Sequence, residues 1–388
     1  PARSPGITYQ ELLDTDTHPV PDVLRLESPR FLGDADVPID RYISREWHDM
    51  ERERLWMRVW QFACREEQIP QPGDHVVYEI SSLSFMVVRQ NDGSIKCFPN
   101  ACLHRGRRLK DYDGHCSEIR CPFHGFAWAI DGQLADVPAG WDFPHVDERR
   151  NEDFMLPECQ VGTWAGFVFI NPDPDCEPFA DFIAGLDEQF EVWNLADRYI
   201  EAHVTKVIAA NWKIAQEAFC EAYHVNATHP QILYYLGDTN SQVDIWDNFS
   251  RVITPACTPS PLLWYEVSED EMMSSMLDVR VDQESPIAIP DGATARAVGA
   301  IGARERWRPV VGDHVDRMSD AEFMDSIDYT VFPNFHPWGA FNRIVYRFRP
   351  NGDDHRSAIM EVMFLAPFKG ERPKPATRRD LSVTQPWT

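Results

Sequence analysis

CLHRGRRLKDYDGHCSEIRCPFHG, residues 102–125, places four metal-binding side chains in two short clusters. Cys102 and His104 lie two positions apart, and Cys121 and His124, three positions apart, follow after sixteen intervening residues. Each pair is close enough in sequence to bind a metal ion together. The question is which kind of centre takes one cysteine and one histidine from each cluster.

Three explanations fit such a set of side chains. One is accident, because buried free cysteine often serves as a small core residue, but Gly106, Pro122 and Gly125 favour tight loops that bring both pairs to one point. A structural zinc site is the second, although zinc spacings usually group Cys with Cys and His with His. The mixture best suits a two-iron, two-sulfide cluster, with two thiolates on one iron and two imidazoles on the other.

The same stretch resembles a known family. CLHRG followed by CPFHG is similar to the Rieske [2Fe–2S] domain of ring-hydroxylating oxygenases. The resemblance implies that Cys102 and Cys121 bind one iron and that His104 and His124 bind the other. The remaining cysteines show no such spacing and are expected to be core or surface residues: Cys64, Cys97, Cys116, Cys159, Cys176, Cys220 and Cys257.

A second candidate site lies in NWKIAQEAFCEAYHVNATHP, residues 211–230. On a continuous helix through residues 214–225, Glu217, Glu221 and His224 would share one face. His229 would point elsewhere, so both histidines reach one metal only if the helix ends or bulges between them. The alternative without a metal site is an amphipathic helix with solvated glutamates.

This second stretch resembles the mononuclear-iron motif of the same family, in which Asn-Trp-Lys precedes an acidic residue, Tyr-His and a second histidine. The resemblance implies that His224 and His229 hold a mononuclear Fe(II), as part of a two-histidine, one-carboxylate site open to O₂. It also implies that Glu221 links this site to the Rieske histidine His124 of a neighbouring subunit in a homotrimer.

The third iron ligand of the family is an aspartate that follows the last sheet. No residue of this sequence is assigned to that role, because Asp325 and Asp328 lie too early. The catalytic domain is therefore expected to be incomplete at its C-terminal end.

The predicted fold is α+β, with three regions. Residues 1–57 form an N-terminal lead and a helix, capped by Ser44, that packs on the catalytic domain. Residues 58–170 form an all-β Rieske domain, and residues 171–388 form a catalytic domain with an antiparallel sheet flanked by helices, of helix-grip type. The helix after the cap is predicted to run to residue 60 with an inward stripe of Trp47, Met50, Leu55 and Val59.

Short β-rich runs support the middle region. HVVYEI, SFMVVRQ and SIKCFPN predict strands, with turns at Asn91-Asp92-Gly93 and at Asp131-Gly132. Near the C-terminus, NRIVYRFR alternates apolar residues with arginines and predicts a strand with one solvent-facing side. Asn351-Gly352 is predicted to turn this strand into the next one.

Composition limits the partners. A net charge of −25 over 388 residues argues against nucleic acid and anionic membranes, and no apolar run reaches membrane-spanning length. The odd number of cysteines, nine, and the lack of an export pattern near the N-terminus favour a cytoplasmic location.

The combined interpretation is the terminal α subunit of a Rieske non-haem iron oxygenase. Electrons from NAD(P)H are expected through a ferredoxin, a reductase or both, since the sequence lacks a GxGxxG fingerprint. The expected reaction hydroxylates or dihydroxylates a hydrophobic, aromatic substrate in a homotrimer, with or without a small β subunit. One alternative is a Rieske monooxygenase or demethylase acting on a quaternary amine, and another is a non-catalytic Rieske electron carrier.

Overall fold

The structure is a computed structural model that describes residues 6–146, 152–279, 283 and 285–387. None of the helices in these ranges combines the length and the apolar sequence that a membrane-spanning helix needs. The α-helices, numbered α1 to α11 along the described chain, are Tyr9–Leu13, Asp22–Arg25, Asp40–Ile43, Arg45–Glu51, Phe179–Phe182, Leu186–Phe190, Trp212–Glu217, Val225–Thr228, Glu269–Met276, Ala295–Val311 and Asp320–Met324.

Strands occupy two stretches of the chain. The first stretch contains β1 to β10, which are Gln61–Arg65, Asp74–Ile80, Leu83–Arg89, Ile95–Pro99, Gly114–His115, Glu118–Arg120, Ala127–Ala129, Leu134–Asp136, Gln160–Trp164 and Phe167–Asn171. The second contains β11 to β18, which are Arg198–Ile208, Gln242–Ile245, Phe249–Thr254, Ser326–Val331, His336–Pro337, Ile344–Asn351, Asp354–Pro367 and Arg379–Leu381.

The first stretch is the predicted all-β region. Its strands form three antiparallel sheets in the orders β1-β10-β9, β4-β3-β2-β5 and β6-β7-β8. The three predicted strands correspond to β2, β3 and β4, and both predicted turns are present. Gly93 and Gly132 adopt φ of 85° and 91°, a conformation that glycine reaches without steric cost. The strand and turn predictions for this region are confirmed.

The second stretch forms a five-stranded sheet in the order β15-β16-β17-β11-β18, beside a three-stranded sheet β12-β13-β14. All pairs are antiparallel except β11 with β18. Helix α7 packs against β16 and β17, and the turn at Asn351-Gly352 joins β16 to β17 as predicted. The α+β fold with an antiparallel sheet flanked by helices is confirmed.

Aromatic side chains join the two stretches into one core. Phe62 of β1 and Phe167 of β10 pack against Phe335, with ring centroids 5.2 and 4.7 Å from its own. These rings share a buried cluster with Val345 and Leu365 of the large sheet. The first sheet of the all-β region therefore packs directly on the catalytic region, while the boundary at residue 170 stays a prediction.

The helix after Ser44 is shorter than predicted. Ser44 accepts a hydrogen bond from the Trp47 N–H and caps α4, as expected, but α4 ends at Glu51 and a π-helical turn covers Arg52–Trp56. The predicted inward stripe is only partly borne out: its four members are half-buried, and Leu55 packs against a core cluster. The buried side chains are His48, Glu51 and Trp56, and Glu51 is held inside by Lys213 and the Trp212 indole.

The predicted solvent face of β16 is also wrong. Arg347 is buried and pairs with Glu361, its neighbour on β17, at 2.6 Å. Its guanidinium also donates to the carbonyls of Phe62 and Ala63, and Arg349 donates to the carbonyl of Glu79. The arginine face is covered because these groups satisfy backbone oxygens of the all-β region.

Replacing Arg347 by Ala is expected to destabilise the protein by about 3 kcal/mol, because Glu361 and two carbonyls would lose a buried partner. Urea unfolding followed by tryptophan fluorescence measures the change. Arg343→Ala is the matched control, since Arg343 forms an exposed pair with Glu201 whose loss should cost at most about 1 kcal/mol. If both variants lowered the free energy of unfolding equally, the buried contacts of Arg347 would not be what joins the two regions.

Candidate metal centres

The two Cys/His clusters form loops of the same construction. The Cys102 N–H donates to the carbonyl of Arg107, and the Gly106 N–H donates back to the carbonyl of Cys102. The second loop repeats this pattern: Cys121 N–H to Phe126 O, and Gly125 N–H to Cys121 O. Both glycines have positive φ, 71° and 83°, which explains why the loops need glycine there.

These loops separate the two kinds of ligand by depth. Cys102 and Cys121 are buried, and their thiols lie within hydrogen-bonding reach of each other. Burial raises the pKa of the Cys102 thiol, the backbone N–H of His104 lowers it, and the neighbouring Cys121 raises it. His104 and His124 are exposed, with ring centroids 4.9 Å apart.

This arrangement fits a Rieske cluster. Metal–nitrogen bonds of about 2.1 Å put two imidazole centroids that share one ion, at angles of about 90° to 110°, roughly 4.5–5.3 Å apart. The two imidazoles are therefore positioned to share one iron at the surface, and the two thiols to share another inside. The four residues predicted from the sequence are brought together.

The second candidate site forms where the predicted helix breaks. Helix α7 ends at Glu217, and α8 begins only after His224, so the continuous helix over residues 214–225 is wrong. The interruption predicted between His224 and His229 is confirmed, because α8 ends at Thr228 and His229 has non-helical φ and ψ of −131° and 51°. The break between Glu217 and His224 was not predicted. Glu217 turns away and accepts a hydrogen bond from the Tyr42 hydroxyl at 2.8 Å.

Because the segment before His224 is not helical, both carboxylate oxygens of Glu221 contact His224. One carboxylate oxygen accepts the His224 backbone N–H at 2.9 Å, and the other lies 2.6 Å from Nδ1 of the ring. A ring whose Nδ1–H donates to a carboxylate presents Nε2 as a free metal ligand. The rings of His224 and His229 have centroids 5.7 Å apart, within about half an ångström of the separation that two imidazoles on one ion require.

A third protein ligand is not present beside these histidines. In the described ranges, no three Cys, His, Asp or Glu side chains form a metal-binding group. Asp325 is engaged by Arg296 at 2.7 and 2.9 Å, and Asp328 does not reach the two histidines. The geometry thus offers two candidate ligands for each iron of a Rieske cluster and two for a mononuclear iron.

Sequence reasoning missed a polar face near this site. In SIDYTV, the residues of β14, alternate side chains Ile327, Tyr329 and Val331 enter the core. The opposite face carries Asp328 and Thr330, and Thr330 Oγ1 lies 3.5 Å from the Cys220 sulfur in the segment before His224. The alternation of apolar and polar residues was visible in the sequence, but the same pattern is typical of a strand whose polar face is exposed to solvent.

Comparisons with known proteins match the two regions separately. Residues 59–145 match the model of the Rieske [2Fe-2S] domain, and residues 193–381 match that of the ring-hydroxylating α subunit, catalytic domain. Together the matches cover more than half of the chain. These two domains imply a Rieske cluster and a mononuclear iron as cofactors, in agreement with the ligand pairs above.

Curated relatives include two kinds of oxygenase. The chain is 34% identical over 194 residues to the chlorobenzene dioxygenase α subunit of Cupriavidus sp. strain PS12, covering 48% of this chain and 42% of that protein. It is 27% identical over 226 residues to the glycine betaine monooxygenase oxygenase subunit of Pseudomonas aeruginosa, covering 58% and 50%. The chain thus spans about half the length of these relatives.

Solved structures agree with the fold. A quaternary ammonium Rieske monooxygenase superposes with a TM-score of 0.61 at 18% identity, covering 86% of this chain and 76% of that one. Naphthalene 1,2-dioxygenase from Rhodococcus sp. superposes with a TM-score of 0.59 at 25% identity, covering 87% and 74%. From its two matched domains, the chain belongs to the α subunits of the Rieske ring-hydroxylating oxygenases, a family of oxidoreductases.

Proposed function

We propose that this chain is the catalytic α subunit of a terminal oxygenase that oxidises an organic substrate with O₂. The observation that carries the proposal is the presence of two candidate ligand sets: the paired loops at Cys102 and Cys121, and the neighbouring rings of His224 and His229, the first of which Glu221 orients. A mononuclear iron bound at the second set supplies O₂ activation. The protein's own part is to orient the histidine ligands and to hold the substrate.

The proposed electron path runs between neighbouring copies of the chain. His104 and His124 lie on the surface, and Glu221 is also partly exposed, with a side-chain exposure of 42%. Head-to-tail packing in a closed ring would place the cluster of one copy beside Glu221 of the next. Glu221 would then connect His124 of one chain with His224 of the other. Electrons would come from NAD(P)H through a separate ferredoxin or reductase.

Two substrate classes follow from the sequence prediction and its alternative. A hydrophobic, aromatic substrate would suit an apolar pocket, and relatives such as the chlorobenzene dioxygenase carry such a substrate in their names. A methylated amine is the second candidate, and the buried carboxyl group of Asp328 specifically favours it. A non-catalytic electron carrier would need only the first ligand set.

Metal analysis tests the proposal. The iron-loaded protein is expected to contain three irons and two acid-labile sulfides per chain, and to consume O₂ with a donor system and substrate. Two irons per chain and no substrate-dependent O₂ uptake would instead identify an electron carrier. A colourless protein that binds zinc would contradict both functions.

A further inference from the structure

Five side chains near the proposed iron site form a face that neither ligand set uses. Asp328 pairs across strands with Trp338, and His336 pairs with Tyr346, so each pair shares one side of the sheet. Thr330 links the pairs, because its hydroxyl lies 3.1 Å from Nδ1 of His336. We call these five residues the Asp328 face.

Two polar atoms of this face lack hydrogen-bond partners among the described residues. They are Oδ1 of Asp328 and Nε2 of His336, and both are inaccessible to solvent. His336 is only 2% exposed, and burial lowers its pKa to about 3, so its ring is neutral. Buried polar atoms without partners are uncommon in native proteins and often mark a site that a ligand completes.

Asp328 is also without a compensating positive charge. Burial raises the pKa of Asp328 well above its ordinary value, and only a hydrogen bond from Ser326, at 3.3 Å, opposes this. In the described part of the chain, no arginine or lysine forms an ion pair with it. By contrast, the neighbouring buried Asp325 forms an ion pair with Arg296. A buried carboxyl group without a charged partner lowers the stability of the fold. A bound ligand that supplies the partner would offset this cost.

The Asp328 face adjoins the segment that leads to His224. Thr330 touches Cys220, and the Tyr346 ring lies 4.7 Å from the ring of Phe219, centroid to centroid. Both contacts fall in the unwound segment between α7 and His224. A molecule held by this face would therefore lie next to the segment that leads to Glu221 and His224.

Two aromatic side chains lie close to Asp328, and a third ring packs on one of them. Tyr346 lies 6.0 Å from Trp338, ring to ring, and close to Phe219. The charge of Asp328 is one cause of the raised pKa of Tyr346, about 12, after burial, which places the two groups within electrostatic reach. Aromatic faces together with one desolvated carboxylate are the environment that best binds an alkylammonium ion.

We propose that Asp328 and the rings of Tyr346, Trp338 and Phe219 bind a cationic alkylammonium group, so that this oxygenase selects positively charged amine substrates. The inference rests on the proposed oxygenase function and assigns its substrate class. Binding of the cation supplies the missing charge partner of Asp328 and favours its ionised form. His336 Nε2 remains available for a polar group elsewhere on the same substrate.

The test compares cations with neutral molecules of the same shape. Binding to the iron-loaded protein is measured by anaerobic calorimetry with choline against 3,3-dimethylbutan-1-ol, and with phenyltrimethylammonium against tert-butylbenzene. At least one cation is expected to bind about tenfold or more tightly than its neutral counterpart. If neither cation binds better than its counterpart, including the case in which nothing binds, the proposal is wrong.

Variants of single residues test which side chains cause the preference for cations over neutral molecules. Asp328→Asn should abolish the tenfold preference and change the affinity for the neutral molecule less than twofold, and Tyr346→Leu should weaken cation binding severalfold. Asp313→Asn, on an exposed carboxylate, is the matched control and should change neither affinity. Without ligand, Asp328→Asn should unfold at a temperature no lower than the parent, since the buried carboxyl group that it replaces has no positively charged partner. A cation preference that survives Asp328→Asn would overturn the assignment.

These outcomes separate the two proposals. Three irons and O₂ uptake with only neutral substrates would retain the oxygenase and reject the cation site. Cation binding that depends on Asp328 in a protein without the third iron would retain the site and reject the oxygenase.

Discussion

Replacing His224 by Ala is expected to remove the mononuclear iron and to lower product formation by more than about 100-fold, while the [2Fe–2S] absorption stays intact. The reason is the small number of ligands: His224 and His229 are the two imidazoles placed to share one ion. With His224 gone, Glu221 also loses the ring that it orients. A single histidine would hold the iron far more weakly.

Iron per chain, the visible spectrum and product formation measure the effect. The cluster should survive, because its ligand loops belong to the all-β region and are closed by their own backbone hydrogen bonds. His314→Ala is the control, since His314 is an exposed histidine distant in sequence from both ligand sets. Loss of both iron signals would point to a folding role for His224, and unchanged iron content would exclude it as a ligand.

The first ligand set was predictable because its information is local. Each loop is closed within six residues, and the cysteine, histidine and glycine of each loop lie in one short stretch of sequence. The strands around them follow from alternation and turn residues in the same local way. The structure of each loop is thus determined locally, and long-range packing determines only that the two loops lie side by side.

The second site shows where local reasoning stops. A helical pattern through residues 214–225 predicted one face for Glu217 and Glu221, but the chain unwinds after Glu217, and that carboxylate bonds Tyr42 from the N-terminal region. Arg347 was expected in solvent and is buried, because the carbonyls that it satisfies belong to a strand 285 residues away. Both errors come from partners that no local pattern reveals.

Replacing Glu221 by Gln is expected to lower turnover about 10- to 100-fold, with the cluster spectrum unchanged. The carboxylate only accepts hydrogen bonds, one from the His224 N–H and one at Nδ1 of its ring. A glutamine that still accepts the backbone N–H must turn its NH₂ group toward Nδ1. The ring would then carry its proton on Nε2, the nitrogen that should face the metal.

Glu217→Gln is the matched control, because Glu217 lies four residues earlier and bonds Tyr42 instead of a histidine. It should retain near-normal turnover, and Glu221→Asp should restore part of the loss. Two measurements separate the roles of Glu221. If excess Fe(II) restores turnover in Glu221→Gln, the carboxylate acts by orienting His224. If the iron is fully bound but a pre-reduced cluster reoxidises slowly in the presence of O₂ and substrate, Glu221 carries the electron path between subunits. Normal turnover and normal reoxidation would exclude both roles.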